Sequence, residues 1–245
     1  MLSNKNILEY NTKGYTIIEN VIPPDWLEIA KSECKRLKDW IIDNNLIGTK
    51  KDVGTGHYWK GIEMASTLSD DLKRFYESKM HYDIATKLLE TDEIYFFNDE
   101  VVTKNPKEDF PFWLHTDNEF GPDPIAAENG DYSMINLYWM LDTHTTENGP
   151  IRFQDKRCPK PTEENLWFDL SDKPPGEGWE WLYPNEGDIV AFCGNVLHYS
   201  VNNHSDKIRR CWANQYTTKS VGGYFNNEKH PLDNFQGFHT KQFII

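Results

Sequence analysis

Glu186-Gly187-Asp188-Ile189-Val190-Ala191-Phe192-Cys193-Gly194-Asn195-Val196-Leu197-His198-Tyr199-Ser200 holds a turn, an apolar run of strand length, a second turn and a short run carrying a histidine. The first run is Ile, Val, Ala, Phe and Cys between Gly-Asp and Gly-Asn, the pattern of a strand buried on both faces. Outward from it, strand-like runs fall at 94–104, 112–117, 133–142, 150–154, 187–193, 196–201 and 209–217, separated by Gly, Pro, Asn and Asp clusters. So many short strands with no long helix between them argue for antiparallel sheets in a sandwich, jelly roll or barrel.

Upstream, Gly14-Tyr15-Thr16-Ile17-Ile18-Glu19 is a short β-rich run. Pro23-Pro24-Asp25 closes it and puts prolines and an acid where the first turn of a helix favours them. Trp26, Ile29, Ala30, Leu37, Trp40 and Ile41 recur at helical spacing as that helix's buried stripe. A second helix is predicted after Ser69-Asp70-Asp71, with Leu72, Tyr76, Met80, Ile84 and Leu88 each four apart. Segments 43–67 and 155–186 have weak periodicity and read as surface excursions covering a site. No repeat, low-complexity tract or composition break marks a linker. The expectation is one domain over 1–245, helical over about 1–92, with the sheet core over about 93–220.

The chain carries 26 Lys and Arg against 39 Asp and Glu, a formal charge of −13, and 14% of its residues are aromatic. That much bulky apolar side chain excludes a disordered chain and can fill a core. The acidic balance leaves no basic stripe to release phosphate counterions, which argues against nucleic acid, and it disfavours an anionic membrane surface. The longest apolar run, Met134 to Leu141, is too short to span a membrane and is interrupted by Asn136. The first residues lack a basic-then-apolar signal segment. Cys34, Cys158, Cys193 and Cys211 show no CxxC spacing, which disfavours structural zinc and a disulfide framework. Asn203-His204-Ser205 fits a glycosylation sequon and reads as a chance match. A reduced, cytoplasmic protein acting on a small molecule is the expectation.

The chemistry centres on Phe112-Trp113-Leu114-His115-Thr116-Asp117. Residues two apart on a strand point to one face, so His115 and Asp117 can reach one point together. An imidazole and a carboxylate there are two of the three ligands of a facial non-haem Fe(II) site, which a second histidine from elsewhere would complete, and the strand-borne His198 lies 81 residues beyond Asp117. Arg209 and Arg210 follow at the start of another strand, where a guanidinium fork can hold a carboxylate. Arg209 shares its face with Cys211 and Ala213, which leave room for a bound dicarboxylate, whereas Arg210 shares its face with Trp212 and Asn214. Likewise Asn136, Tyr138 and Met140 form a mixed face suited to a site, and Leu137, Trp139 and Leu141 a packing face.

In these pieces and their order the chain resembles the phytanoyl-CoA dioxygenase (PhyH-like) family of Fe(II)/2-oxoglutarate-dependent oxygenases. The resemblance covers Gly14 to Leu27 and most of 95–216. It includes His115-Thr116-Asp117, Leu141-Asp142, the loop Glu147-Asn148-Gly149-Pro150-Ile151-Arg152, the Glu186-Gly187-Asp188 turn, and His198 with Ser200, Asn203 and Arg209. It implies a mainly β fold with flanking helices around a double-stranded β-helix, the cupin-like jelly roll. It implies His115, Asp117 and His198 as Fe(II) ligands, and Arg209 on the far carboxylate of 2-oxoglutarate. Ser200 would support that carboxylate, with Tyr138 and Thr116 as further contacts to the cosubstrate. The implied reaction is hydroxylation of an unactivated C–H bond with O2, releasing succinate and CO2. Asp117 favours hydroxylation over halogenation, because related halogenases replace that carboxylate with a small residue. Phe153-Gln154-Asp155-Lys156-Arg157-Cys158 departs from the Pro-Gly-Ser-His segment that the family often has there.

Two other readings stay open at this level: a non-redox cupin-like metal enzyme, and a non-catalytic protein binding 2-oxoglutarate or another small molecule on the same fold. The remaining histidines read blandly. His144, in Asp142-Thr143-His144-Thr145-Thr146-Glu147, and His204, in an Asn/Ser/Asp turn, read as solvated loop residues. His81, His230 and His239 read as surface residues, and His57 lies in Gly54-Thr55-Gly56-His57-Tyr58-Trp59, a candidate lid. Ser200 lacks the Gly-x-Ser-x-Gly elbow of a hydrolase nucleophile. Trp113, beside the triplet, is a candidate pocket wall.

Overall fold

Ser3 opens the first helix, α1 (Asn4–Lys13): its hydroxyl accepts from Asn6 N, and the Asn6 side chain accepts from Ser3 N in return. Gly14 ends it in the left-handed conformation at φ 89°, with its N–H on Tyr10 O at 2.8 Å. A Cβ at this glycine would lie 2.5 Å from Val196 Cγ2, so the close approach itself requires glycine. This helix is absent from the sequence reading, which began the ordered chain at Gly14. The computed structural model describes residues 2–43, 61–120, 124–161, 174, 176–220, 222–223, 238–239 and 241–242.

The elements that follow are β1 (Tyr15–Ile18), α2 (Pro24–Asp43), β2 (Gly61–Glu63), α3 (Asp70–Tyr76), α4 (Lys79–Leu89), β3 (Tyr95–Lys104) and β4 (Phe112–His115). After them come α5 (Pro124–Glu128), β5 (Met134–Met140), β6 (Ile151–Gln154), β7 (Trp179–Leu182), β8 (Ile189–Cys193), β9 (His198–Ser200) and β10 (Arg209–Thr217). Three two-residue strands close the described chain: β11 (Gly222–Gly223), β12 (Phe238–His239) and β13 (Lys241–Gln242).

A large antiparallel sheet runs β1-β8-β5-β10-β3-β13, with β2 also on β3, and a smaller one runs β4-β9-β6-β7. They pack as the two layers of a jelly roll. Tyr15, Met140, Ile151, Phe153, Val190, Phe192 and Cys211 fill the space between them. The outer face of the large sheet carries Leu137, Trp139, Leu141 and Trp212 against the helices, where Phe75 stacks on Trp26 and Trp139 at 4.6 and 5.5 Å. Because the large sheet is covered on both faces, β8 is apolar throughout rather than alternating. Among the described residues no helix is long and apolar enough to cross a membrane.

Four expectations are corrected. The single helix after Ser69 is two, because Ser78 breaks it and caps α4 by accepting from His81 N. The four-residue spacing of Tyr76 and Met80 runs across the break and hides it. Trp40 is 37% exposed: it lies beyond Leu37, the last position of α2 that is buried among the described residues. The excursion at 155–186 contains β7, which pairs with β6, and that at 43–67 contains β2, which pairs with β3. Finally, His81 is fully buried. Its Nε2 accepts from Trp139 Nε1 at 2.5 Å, its Nδ1 donates to the Tyr216 hydroxyl at 2.6 Å, and Tyr216 donates to Tyr76 O at 3.0 Å. His57, His230 and the candidate lid lie outside the described residues.

Candidate active site

His115 ends β4 and His198 begins β9, and the two strands pair with these residues directly opposite. Antiparallel partners share a face, so both rings point between the sheets, with centroids 4.3 Å apart. The chain turns into a short 3-10 segment at Asp117, whose Oδ1 lies 3.5 Å from Nε2 of each histidine. His115, Asp117 and His198 thus offer three ligand atoms within 4.8 Å of one another. His115 Nδ1 donates to Trp113 O at 2.5 Å and His198 Nδ1 to Val196 O at 3.0 Å. A carbonyl can only accept, so each bond puts the ring proton on Nδ1 and turns a lone pair outward at Nε2. Phe153 stacks on His198 at 5.2 Å and Phe192 meets it edge-on at 5.0 Å, clamping the ring.

The electrostatics suit a cation. Burial works against charge on the Asp117 carboxylate, but His198 and then His115 outweigh it and hold the pKa below the ordinary carboxylate range. Burial, and then the neighbouring His115, push His198 down to about 4, so it is neutral at pH 7. Gln215, on the inner face of β10, donates from Nε2 to Asp117 Oδ2 at 3.5 Å and to Asn136 Oδ1 at 2.9 Å, linking the carboxylate to the large sheet.

Arg209 is 1% exposed and faces the interior, with Cys211 and Ala213 on the same side of β10. Its Nη2 donates to Gly149 O at 2.8 Å, and its Nε has no hydrogen-bond partner. Arg210 points outward and holds Asp142 through Nε at 2.8 Å and Nη2 at 2.9 Å. Lys104 lies opposite Arg209 in the β3–β10 register and is fully buried. Its Nζ donates to Phe110 O at 2.9 Å and Val201 O at 2.6 Å, with Ser200 O at 3.5 Å.

Tyr138 lies half-buried on the interior face, opposite Ala213, and Ser200 follows His198 two residues on, facing the same way. The Thr116 hydroxyl and N–H both donate to Glu119 Oε1, at 3.0 and 3.2 Å, so its side chain ties the turn that carries Asp117. Trp113 is 56% exposed on β4. His204 is exposed, as read from the sequence. His144 is not: it is 2% exposed and neither ring nitrogen has a partner, which overturns its reading as a solvated loop residue. Its loop is tied inward through His144 N–H on Pro184 O, and nothing in Thr143-His144-Thr145-Thr146 signals that turn. Lys104 and Gln215 were also missed, although Gln215 shares its strand face with Arg209, a parity the sequence does contain.

No match emerged among curated proteins. Solved structures resemble the chain closely in fold. The carbocyclase SnoK from nogalamycin biosynthesis, described as non-heme and alpha-ketoglutarate dependent, superposes with a TM-score of 0.71 at 16% identity, over 98% of this chain and 96% of its own. EctD from S. alaskensis, solved with 2-oxoglutarate and 5-hydroxyectoine, gives 0.70 at 18% identity, over 96% of this chain and 84% of its own. The epimerase SnoN, in complex with Fe3+, alpha ketoglutarate and nogalamycin RO, gives 0.67 at 17% identity, over 91% of this chain and 86% of its own. With the phytanoyl-CoA dioxygenase (PhyH) family model matching residues 10–211, across both sheets and the triad, the chain belongs to the phytanoyl-CoA dioxygenase family.

Proposed function

We propose that this protein is an Fe(II)- and 2-oxoglutarate-dependent dioxygenase that hydroxylates a C–H bond of a small molecule. The observation that carries the reading is the presence of two complementary sets of groups in one interior. Three lone-pair atoms converge at His115, Asp117 and His198, and a buried guanidinium at Arg209 has Nε without an acceptor. The first set fits a divalent cation with open positions, and the second a carboxylate. Bound Fe(II) would supply, with 2-oxoglutarate and O2, oxidative decarboxylation to succinate and CO2 coupled to transfer of one oxygen atom to the substrate.

The chain's own residues do the positioning. The bonds from Nδ1 to Trp113 O and Val196 O hold both imidazoles in the ligating tautomer, and Phe153 and Phe192 lock His198 in place. Gln215 restrains Asp117 by its second oxygen, which keeps the first aimed at the histidines. Arg209 would anchor the cosubstrate at its far end, with Ser200 and Tyr138 beside it. The apolar lining of Val190, Met140 and Phe192 would keep the path between dry. The four cysteines are free thiols, in keeping with a cytoplasmic location.

The direct test is succinate formation in a small-molecule screen. The reading expects succinate only when Fe(II), O2 and 2-oxoglutarate are all present, and a substrate product heavier by one oxygen atom. Turnover that persists without O2 would replace this reading with a non-redox metal enzyme. Binding of 2-oxoglutarate with no succinate for any substrate would point to a sensor.

A further inference from the structure

We infer that His144 is a second hydrogen-bond donor for the far carboxylate of 2-oxoglutarate, acting beside Arg209; the inference rests on the functional reading above. His144 is 2% exposed on a loop fastened on both sides of it. Its own N–H donates to Pro184 O at 2.9 Å, while the Asn148 side chain accepts from Thr145 N at 2.7 Å and donates to Thr143 O at 2.8 Å. These bonds fix the backbone that carries the imidazole into the interior. The same loop reaches Arg209 through Gly149 O, and burial, with the charges of Arg209 and Lys104 acting in the same sense, holds the His144 pKa well below the ordinary value. It is therefore a neutral ring with one N–H to give.

That N–H has no acceptor, and neither does Arg209 Nε. Buried donors left unmatched are costly, and native proteins rarely keep two side by side without a ligand for them. Lys104 cannot supply the missing acceptor, because an ammonium only donates, here to the carbonyls of Phe110, Val201 and Ser200. Gly149, whose carbonyl takes the Arg209 Nη2 proton, has φ 81°. A Cβ there would lie 2.6 Å from Lys104 Cδ, so this backbone is pressed tightly around the cations. Two adjacent donors lacking acceptors match the two oxygens of one carboxylate. Arg209 then supplies the charge, and His144 selects for an acceptor at the end of the cosubstrate.

The test measures affinity rather than turnover. 2-Oxoglutarate and 2-oxovalerate, which has the same chain length but a methyl group in place of the far carboxylate, are titrated calorimetrically into anaerobic Fe(II)-loaded wild type, His144→Leu, His144→Gln and Arg209→Ala. His144→Leu is expected to weaken 2-oxoglutarate roughly ten- to a hundred-fold while leaving 2-oxovalerate unchanged. His144→Gln, which keeps a donor, is expected to recover most of the loss. Equal weakening of both ligands would assign His144 a packing role and overturn the inference, as would unchanged 2-oxoglutarate affinity in His144→Leu. In either case, a large loss in Arg209→Ala would leave the functional reading standing. If wild type binds 2-oxoglutarate no better than 2-oxovalerate, both fall.

Discussion

At the scale of single residues, Arg209 and Arg210 show how one step along a strand separates two roles. Arg209 enters a closed interior where its Nε has no acceptor, whereas Arg210 satisfies its fork on Asp142 at the surface, also giving its N–H to that carboxylate at 2.9 Å. Arg209→Ala is therefore expected to weaken 2-oxoglutarate at least a hundred-fold in a binding titration. Arg210→Ala should leave that affinity essentially intact and cost about 1–2 kcal/mol of stability in urea unfolding. Equal losses of affinity, or the reverse order, would contradict the assignment. That Arg209 and not Arg210 turns inward was legible from strand parity alone. His144 was not, because parity says nothing about a residue between two strands, and only the fold shows that its loop turns inward.

At the scale of elements, the core strands were legible to within a residue or two because each is bracketed by turn-forming residues. The helix α1 escaped notice because its signals, Ser3 and Gly14, frame a polar stretch with only Asn6 and Tyr10 buried. The strand β7 was hidden among prolines and glycines that resemble a loop. Helix α4 and strand β3 also carry one buried ionisable group each, His81 and Asp99, of opposite tendency, between the helices and the large sheet. Burial pushes His81 down to about 3, whereas it raises Asp99 to about 6 despite bonds from Ser66 and Trp212. For His81 the folded value lies below the unfolded one near 6.5, so its contribution is complete above pH 6.5 and is lost as pH falls towards 3. For Asp99 the folded value lies above the unfolded one near 3.8, so its contribution is complete below pH 3.8 and is lost as pH rises through 6. Between pH 7.5 and pH 5, His81 costs about 2 kcal/mol and Asp99 returns about 1 kcal/mol, so the second offsets about half of the first. In thermal melts, His81→Gln is expected to gain stability on going from pH 7.5 to pH 5 relative to wild type, and Asp99→Asn to lose it. Variants that track the wild-type pH dependence would show that these groups do not titrate as buried.

At the scale of the whole molecule, the jelly roll places two kinds of incomplete site within one interior. The small sheet brings His115 and His198 together by strand register and turns Asp117 onto them, while the large sheet supplies Arg209, Tyr138 and Gln215 from the facing layer. The triad was legible in the sequence because His-x-Asp closes one readable strand and the distant histidine opens another, although β4 ends at His115 and it is a 3-10 turn rather than strand parity that brings Asp117 to the histidines. The surroundings of the far end were less so, since Lys104 and His144 reach it only through tertiary packing. Because the ligands sit between packed layers, the divalent cation they are proposed to hold should stabilise the folded state by mass action. At a free concentration a hundred times its Kd, that amounts to about 2.7 kcal/mol. A melting temperature that rises with Fe(II) in wild type but not in His115→Ala is the expected result. A rise of equal size in that variant would place the metal elsewhere.

The central claim is that the triad and Arg209 together seat Fe(II) and 2-oxoglutarate, and its most direct test is anaerobic. Fe(II) and then 2-oxoglutarate are added to the apo-protein while the visible charge-transfer absorption of the chelate is followed, with His115→Ala and Arg209→Ala alongside. The expected result is a band in wild type that disappears in His115→Ala and needs far more 2-oxoglutarate in Arg209→Ala. No band in wild type, together with tight binding of a different divalent metal, would contradict the claim and leave the triad to non-redox chemistry.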